Sequence, residues 1–271
     1  MTSTTRAISR YIERIWTYRD LLFYLARGKI KATNAATTLG ILWWVLNPLL
    51  LAGIYFLVFG VIFAGGRRGD PTYLAWLLSG MFPFHFTSRS VRGGADAITS
   101  NAKLITNIRF PRIILPASVL IEAVVGFLAS IIVYYMLIVP LTGRWPGVHT
   151  LWLIPAVLLH LMMNLGLAAL MGRLAVAFRD LGNLVPYVLR LWLYMSPIIW
   201  TIEFMDNLDP LFVTVAQLNP IFPILSLYRT GLGGYPFDPQ MLLNASIWSI
   251  VILLAGSAYF IKGESRLTRY L

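Results

Sequence analysis

The first long apolar stretch of this chain decides its fold. Residues 39–63 read LGILWWVLNPLLLAGIYFLVFGVIF, and the charge-free run around them extends from Ala32 to Gly66. A helix needs about 20 apolar residues to cross the ~30 Å hydrocarbon core of a bilayer. This stretch is therefore predicted to be a membrane-spanning helix.

Five more apolar stretches extend the prediction to the rest of the chain. Hydrophobic residues make up 58% of the sequence and charged residues only 12%, which excludes an ordinary soluble globular protein. We predict an all-α integral membrane protein with one transmembrane domain (residues 39–262) between a cytoplasmic N-terminus (1–38) and a cytoplasmic tail (263–271). The six predicted transmembrane helices are residues 39–63, 71–88, 113–141, 151–172, 184–201 and 239–261.

The basic residues indicate which way these helices run. Of the 22 Lys and Arg residues, 17 fall in the termini and loops that six spans would place on one side of the membrane, and 4 in loops on the other side. Cytoplasmic loops of membrane proteins carry such an excess, so both termini are predicted to be cytoplasmic. The net charge of +11 then suits anionic membrane lipids at the inner leaflet and does not indicate a nucleic-acid partner.

A seventh charge-free run, Pro210–Tyr228, lies between the fifth and sixth spans. It contains Pro220, Pro223 and the polar Asn219. If this run crossed the membrane, the last span would invert and place the basic C-terminal tail outside. The charge pattern therefore favours a re-entrant or surface-lying helical hairpin on the outer side.

The N-terminus carries an apolar stripe at helical spacing. Ile8, Tyr11, Ile15, Tyr18 and Leu22 recur every three or four residues, with basic and polar residues between them. A basic amphipathic helix of this kind is predicted to lie in the plane of the inner membrane interface. It would serve either as an anchor or as a gate for substrate.

The second cytoplasmic loop contains a candidate docking element. Gly93 and Gly94 are predicted to end the helix of span two, and Ala95–Asn107 is predicted to form a short helix parallel to the membrane. A helix held there suits docking onto a soluble partner. The alternative is an ordinary solvated connector.

Residues for catalysis or metal binding are scarce. The sequence has no cysteine, and its histidines, His85, His149 and His160, are scattered rather than grouped as ligands. Gly28-Lys29 lacks the upstream glycine of a phosphate-binding loop. We therefore predict no catalytic, cofactor or metal site, and expect the energy for any transport to come from another protein.

Two residues with a formal charge at pH 7 lie inside predicted spans. Glu122 is the acid well within span three, and Arg190 is a base within span five. Charges inside a membrane usually pair with one another or face a cavity. These two residues are therefore candidates for a charge pair between the spans.

Short motifs along most of the chain carry a family resemblance. They are YRDL at 18–21, LGILWW at 39–44, NPL at 47–49, FPRIILP at 110–116, FRDL at 178–181, SPII at 196–199 and LNP at 218–220. In these motifs the chain resembles, from about Tyr18 to its end, the permease subunits of type-2 ABC polysaccharide exporters, the class that exports O-antigen, teichoic acid, capsule or galactan. Two features depart from the pattern: residues 29–33 match only loosely, and Glu122 stands where an apolar or small residue is expected.

The resemblance implies a homodimeric permease in the bacterial inner membrane, bound to a separate dimeric ABC ATPase that would hold ATP and Mg. The substrate would be a polyprenyl-pyrophosphate-linked glycan, and the pyrophosphate is a second candidate partner for Arg190. The implied ATPase-coupling residues are Ser100, Asn101, Ala102, Lys103, Leu104 and Asn107, with Arg179 and Asp180 as a second contact. Pro210, Asn219, Pro220 and Pro223 would belong to a periplasmic gate.

Aromatic residues in the spans are candidates for the channel wall. Flat aromatic faces stack on sugar rings without holding one unit tightly, as stepwise export of a glycan requires. On this ground Trp44, Phe82, Phe86 and Tyr194 are candidate channel-lining residues, with packing against lipid or other helices as the alternative.

Two other functions stay open from the sequence. One is a type-2 ABC permease for a drug or small amphiphile. The other is a membrane enzyme acting on lipid-linked sugars, for which Glu203, Asp206 and Asp209 in the outer loop are the candidate acids. The particular glycan is not specified by these residues.

Overall fold

The computed structural model confirms the all-helical prediction. It describes residues 10, 11, 13–63, 70–178, 180–201 and 216–264, and within these ranges it contains helices and no strand. The helices are α1 (Arg19–Ala36), α2 (Trp43–Tyr55), α3 (Pro71–Thr99), α4 (Ala102–Asn107), α5 (Ile114–Thr142), α6 (Leu153–Ala177), α7 (Leu181–Met195), α8 (Ile221–Gly233) and α9 (Pro239–Gly263). A 3-10 turn, Gly40–Leu42, precedes α2, a π-helical turn, Phe56–Ile62, follows it, and a 3-10 turn, Val148–Trp152, precedes α6.

Four segments of the described residues are long and apolar enough to cross a membrane. They are Gly40–Ile62, Ile114–Thr142, Val148–Ala177 and Pro239–Gly263, and they correspond to the first, third, fourth and sixth predicted spans. The second predicted span forms the first part of α3, which extends to Thr99. The fifth is α7, whose 15 residues extend only about 22 Å at 1.5 Å per residue.

Two long helices begin in the same way. Asp70 precedes Pro71 of α3 and accepts a hydrogen bond from the Thr72 amide at 2.8 Å. Asp238 precedes Pro239 of α9 and accepts one from the Gln240 amide, also at 2.8 Å. An Asp cap satisfies a free N–H of the first turn, and proline fits this turn because it has no N–H to satisfy.

The expected helix break at Gly93 and Gly94 is wrong. Both residues lie inside α3, and a Cβ added to Gly94 would come within 2.5 Å of Ala168 Cα on α6. Glycine costs only about 1 kcal/mol relative to alanine inside a helix, so the hydrogen-bond ladder continues. The glycine pair therefore allows α3 to approach α6 closely, and the short helix after it begins at Ala102 instead of Ala95.

One end of the molecule, called here the connector end, carries α4, the segment before α1 that contains Tyr11 and Tyr18, and residue 264. The Tyr11 hydroxyl donates to Glu264 Oε2 at 2.8 Å, and the Tyr18 hydroxyl donates to the Arg109 carbonyl at 2.9 Å. Apolar residues of the predicted N-terminal stripe, Tyr11, Ile15, Tyr18 and Leu22, pack against a buried cluster at this end. The stripe therefore contacts protein, while Trp16, Phe23 and Tyr24 stay exposed on other faces of the same segment.

The opposite end, called the distal end, gathers the start of α3 and the residues around 152, 199 and 237. The Trp152 and Phe237 rings stack with centroids 3.8 Å apart. The Tyr73 hydroxyl donates to the Ile199 carbonyl at 2.7 Å. The chain thus leaves α7 and enters α9 at the same end of the molecule.

The structure describes the second half of the predicted outer hairpin, from residue 216 onward. Pro210 lies outside the described residues, whereas Asn219 and Pro220 lead into α8 and Pro223 lies in its first turn. Most of α8 is buried, and its end is beside the 3-10 turn before α6, where the Tyr135 hydroxyl donates to the Gly231 carbonyl at 3.2 Å. Arg229, a basic residue between the fifth and sixth predicted spans, is 2% exposed within this helix.

Candidate functional site

A polar turn ends α3 and sets the position of α4. The Ser100 hydroxyl donates to the Asp96 carbonyl at 2.6 Å, and Asn101 Nδ2 donates to the Ala97 carbonyl at 2.8 Å. These side chains satisfy carbonyls that the last turn of a helix leaves without partners. The chain then turns directly into α4.

One side of α4 is anchored and the other is open. Ile105 is 4% exposed and packs with Ile98 and Phe110 in the buried cluster of the connector end. Burial of a side chain of this size stabilises its position by roughly 1.5–3 kcal/mol. Of the predicted coupling residues, Ser100, Lys103 and Asn107 are exposed, and Asn101, Ala102 and Leu104 are half-buried. The structure thus brings these residues together in the turn before α4 and on α4 itself, which presents polar side chains outward.

Glu264 joins three segments beside α4. Its carboxylate accepts from the Tyr11 hydroxyl at 2.8 Å and from the Arg112 amide at 2.6 Å, and its backbone carbonyl accepts from the Arg112 guanidinium. Burial, together with the Glu264 carboxylate, raises the pKa of Tyr11, which keeps its hydroxyl protonated as a donor. The segment that contains Tyr11, the start of α5 and the end of α9 are therefore joined at one residue.

The predicted second cytoplasmic contact lies between α6 and α7. Asp180 is exposed, and its carbonyl accepts from the Leu184 amide at 3.3 Å in the first turn of α7. Arg179 lies outside the described residues. Because Val176, just before this loop, packs in the same cluster as Ile105, the loop belongs to the connector end.

Glu122 forms an ion pair with a different partner from the one predicted. Arg89 Nη2 on α3 donates to Glu122 Oε1 on α5 at 2.9 Å. Arg190 is exposed on α7, so the predicted Glu122–Arg190 pair is wrong for this structure. The physical reason is that α5 packs directly against α3, which brings Glu122 to the first cation beyond the apolar part of α3.

The Arg89 guanidinium also contacts an aromatic ring. Its central carbon lies 4.3 Å from the ring centroid of Trp44 on α2, a cation–π distance. The Trp44 ring in turn lies against Gly126 of α5. Three helices therefore meet at this half-buried ion pair.

Three of the four predicted channel-lining aromatics lie inside the protomer. Trp44, Phe82 and Phe86 are each 2% exposed or less, and the Phe86 ring stacks on Phe127 with centroids 5.0 Å apart. A residue buried within one subunit does not face a passage between subunits in this conformation. Tyr194 is 48% exposed and its hydroxyl accepts a hydrogen bond of 3.1 Å from the Tyr55 hydroxyl, so it is the candidate that stays accessible.

Asn219 connects the end of α7 to the start of α8. Its Oδ1 accepts from Trp192 Nε1 at 2.7 Å and from the Ile221 amide at 3.2 Å, while its Nδ2 donates to Ser196 Oγ at 2.9 Å. The motifs SPII and LNP, far apart in sequence, thus meet at one buried amide. This contact fixes where α8 enters the helix bundle.

Arg229 ties the same SPII segment to α3. Its guanidinium donates to the Pro197 carbonyl and lies 3.3 Å from the ring centroid of Trp76. The Trp76 indole N–H donates to the Trp200 carbonyl at 3.2 Å. The irregular segment after α7 is held by α8 on one side and α3 on the other.

A buried row of hydrogen bonds links α3, α6 and α8. Thr87 Oγ1 lies 2.7 Å from His160 Nε2, and His160 Nδ1 lies 3.1 Å from the Tyr228 hydroxyl. All three residues are fully buried, and Phe86 and Phe127 present rings to the imidazole. Since α3 leads into the connector, this row joins the helix that ends at α4 to the one that follows Asn219.

Comparison with known proteins places this architecture in a family. The family model described as ABC-2 type transporter matches residues 20–232. A protein from Myxococcus xanthus named O-antigen export system permease protein RfbA is 31% identical over 259 residues, covering 95% of this chain and 96% of that protein. A Klebsiella pneumoniae protein of the same name is 26% identical over 259 residues, covering 93% and 95%.

The chain belongs to the ABC-2 type transporter family. As an ABC-2 transporter subunit it is a multi-pass membrane protein that serves transport rather than catalysis. The matched region begins at the start of α1 and ends in α8, so it includes α4 and the Arg89–Glu122 pair.

Sequence reasoning missed several residues that organise this ABC-2 transporter. Arg89 directly follows the predicted end of span two, so it counted as a loop residue, although His85, Arg89 and Arg92 are spaced four and three residues apart on one helix face. His160 gave a usable signal, because a lone histidine inside an apolar span needs hydrogen-bond partners. Glu264 gave none, since its partners lie far away in sequence.

Proposed function

We propose that this chain is the permease subunit of an ATP-driven exporter that moves a lipid-linked polysaccharide from the cytoplasm to the periplasm. The observation that carries the proposal is the 31% identity, over 95% of the chain, to a protein named as an O-antigen export permease. The extent of the match favours the whole permease over a shared fragment. The drug-exporter alternative is not favoured, because the relatives found are named for O-antigen export.

The proposed assembly is a homodimer of this chain bound to a dimeric ABC ATPase in the bacterial inner membrane. Lys103, Thr106 and Asn107 on α4 offer an exposed polar face held by a buried anchor, which suits contact with a soluble partner. Asp180, with Arg179, would add a second contact. ATP and Mg would bind to the ATPase, and the polyprenyl-pyrophosphate-linked glycan would pass along the permease.

The proposed topology has six spans, in which α3 and α7 cross the membrane together with the four long apolar segments. Support comes from the distal end. There the Ile199 carbonyl, after α7, accepts a hydrogen bond from Tyr73, and the Phe237 ring, before α9, stacks on Trp152. A chain that leaves and re-enters at one end of the molecule is consistent with a hairpin on that side. Asn219, Pro220 and Pro223 would then form the described part of an outer gate, with Pro210 in its other half.

The enzyme alternative rests on Glu203, Asp206 and Asp209, which lie outside the described residues. Among the residues that the structure describes, no group of three His, Cys, Asp or Glu residues forms a metal-binding set. Family membership favours transport.

The function is tested by reconstitution with the partner ATPase. The purified chain is expected to hydrolyse no ATP, because its sequence lacks a phosphate-binding loop, whereas the complex in vesicles should hydrolyse ATP and move lipid-linked glycan. Scintillation counting of radiolabelled glycan protected inside inside-out vesicles measures transport. ATP hydrolysis by the chain alone would contradict the proposal. So would a complex whose ATP hydrolysis is stimulated by small amphiphiles and that transports no glycan.

The topology is tested by cysteine labelling of this naturally cysteine-free chain. Arg144 and Gln240 are exposed at the distal end. Cysteines introduced at these two positions should react with an impermeant maleimide in spheroplasts. Cysteines at Lys103 and Thr106 should react only after permeabilisation. Labelling at position 240 only after permeabilisation would mean that residues 210–228 cross the membrane, and the hairpin would be excluded.

A further inference from the structure

A small cavity opens at the distal end, between the start of α3, the end of α5 and the end of α8. Its empty space is about 340 Å³, including the part that is open to solvent. The closed part has room for a group of about the size of one water molecule. The polar side chains in its wall are Thr72, Tyr134, Tyr135, Thr142, Arg144 and Tyr235.

One buried hydroxyl in this wall lacks a partner. Tyr134 is 1% exposed, and among the described residues its hydroxyl makes no hydrogen bond. The neighbouring Tyr135 shows the contrast, because its hydroxyl donates to the Gly231 carbonyl at 3.2 Å. A buried polar atom without a partner costs free energy, and most such atoms in folded proteins are paired. The Tyr134 hydroxyl is therefore available to a ligand that enters the cavity.

Gly233 leaves a gap beside this hydroxyl. A Cβ added to Gly233 would lie 3.7 Å from the Tyr134 hydroxyl and 2.7 Å from the Tyr235 ring. The Tyr235 ring would then have to move, although it lies edge to face against Trp76 with centroids 5.7 Å apart. A residue without a side chain at this position thus keeps the two tyrosines apart and the space between them open.

The charges around the cavity favour an anion. Arg144 is exposed in the wall and lies within electrostatic range of the Tyr134 hydroxyl. Arg229 is buried and lies within electrostatic range of both Tyr134 and Tyr235. Among the residues that the structure describes, no Asp or Glu lines the cavity. A guanidinium presents a planar fork of donors that matches the oxygens of a carboxylate or a phosphate.

We propose that this cavity binds a phosphate group, supplied either by free phosphate or by the headgroup of an anionic phospholipid. The Tyr134 hydroxyl donates to one oxygen in the closed part, and the Arg144 guanidinium pairs with the oxygens that remain at the opening. Phosphate offers at least three acceptor oxygens and so suits donors that approach from different directions better than a carboxylate does. The bound group is distinct from the transported glycan, and by contacting α3, α5 and the segment before α9 it opposes their separation at the distal end.

Equilibrium dialysis of radiolabelled inorganic phosphate against the purified full chain, in a neutral detergent, tests the site. The chain is used without an ATPase, because phosphate is a product of ATP hydrolysis and would bind there as well. Tyr134→Phe and Arg144→Gln are each expected to raise the Kd about fivefold or more, since each removes a charge-assisted hydrogen bond. The matched controls are Tyr73→Phe, which removes a distal hydroxyl bonded to Ile199, and Arg190→Gln on α7. Both lie outside the cavity wall and should leave the Kd unchanged.

A second titration, with phosphatidylglycerol in mixed micelles, distinguishes the two sources of the phosphate group. Displacement of bound phosphate by this lipid identifies the headgroup as the source, whereas phosphate that the lipid does not displace identifies the free ion. The melting temperature of ligand-free Tyr134→Phe checks the fold and should be unchanged or higher, because the variant loses a buried hydroxyl that has no partner.

The proposal is overturned if neither ligand binds saturably, or if the wild type and Tyr134→Phe bind phosphate with the same Kd. Acetate that competes as well as phosphate would overturn the assignment to phosphate, because the site would then accept any oxyanion. These measurements use the chain alone and require no transport, so their failure leaves the proposed function standing. A complex that moves no glycan would in turn leave this site untouched.

Discussion

An Ile105→Asp variant is expected to lose more than nine-tenths of ATP-driven export while inserting normally into the membrane. Ile105 is the buried side chain by which α4 packs on the connector end. A carboxylate in that position would lose its water without gaining a partner, at a cost of several kcal/mol. Because α4 is only six residues long, the least costly response is for this helix alone to leave the cluster. The measurement is the ratio of glycan exported to ATP hydrolysed in reconstituted vesicles.

Lys103→Gln is the matched control for this variant. Lys103 is exposed on the opposite side of α4, so the substitution leaves the anchor intact and is expected to weaken ATPase association without undocking the helix. Proline at Leu104 should mimic Ile105→Asp, since it removes the N–H that donates to the Asn101 carbonyl at 3.0 Å. Normal coupling in both Ile105→Asp and Leu104→Pro would show that α4 does not transmit force.

The sequence predicted those elements whose burial depends on the bilayer alone. Residues 39–63 and 239–261 are long and apolar whatever they pack against, so the helices at Gly40–Ile62 and Pro239–Gly263 followed from length and charge. Gly94 shows the limit of this reasoning. Its effect depends on the approach of Ala168 from another helix, which no local pattern reports.

Side-chain direction was the harder part of the site. An aromatic residue such as Phe86 faces a channel, a lipid or the core according to how its helix is rotated, and every face of an apolar span looks alike in sequence. The partner of Glu122 was missed for a related reason, because Arg89 lay one residue beyond the predicted end of span two. The connector was predicted in part, because a short helix ends at Asn107 as expected but begins at Ala102 instead of Ala95.

Arg229→Met is expected to reduce export at least tenfold with little change in the thermal stability of the purified complex. Arg229 is 2% exposed, donates to the Pro197 carbonyl and lies over the Trp76 ring. Replacing a buried charge with an apolar side chain of similar length is often neutral for folding, because the desolvation cost of the charge disappears. The Pro197 carbonyl, however, loses its donor, at about 1–3 kcal/mol, and the SPII segment is no longer tied to both α8 and α3. Thermal unfolding and vesicle export, measured on the same preparation, separate the two effects.

A second arginine provides the control for Arg229. Arg173 makes the same two kinds of contact, lying 3.9 Å from the Tyr259 ring centroid and donating to the Tyr259 carbonyl, but it joins α6 to α9. Arg173→Met should leave export within about twofold, because the two contacts of Arg173 are to Tyr259 of α9 and not to the Pro197 segment. Arg229→Lys should fall between wild type and Arg229→Met, since a lysine keeps the charge but lacks the planar stacking fork. Equal export in Arg229→Met and Arg173→Met would mean that the tether at Pro197 serves packing and has no part in opening the distal end.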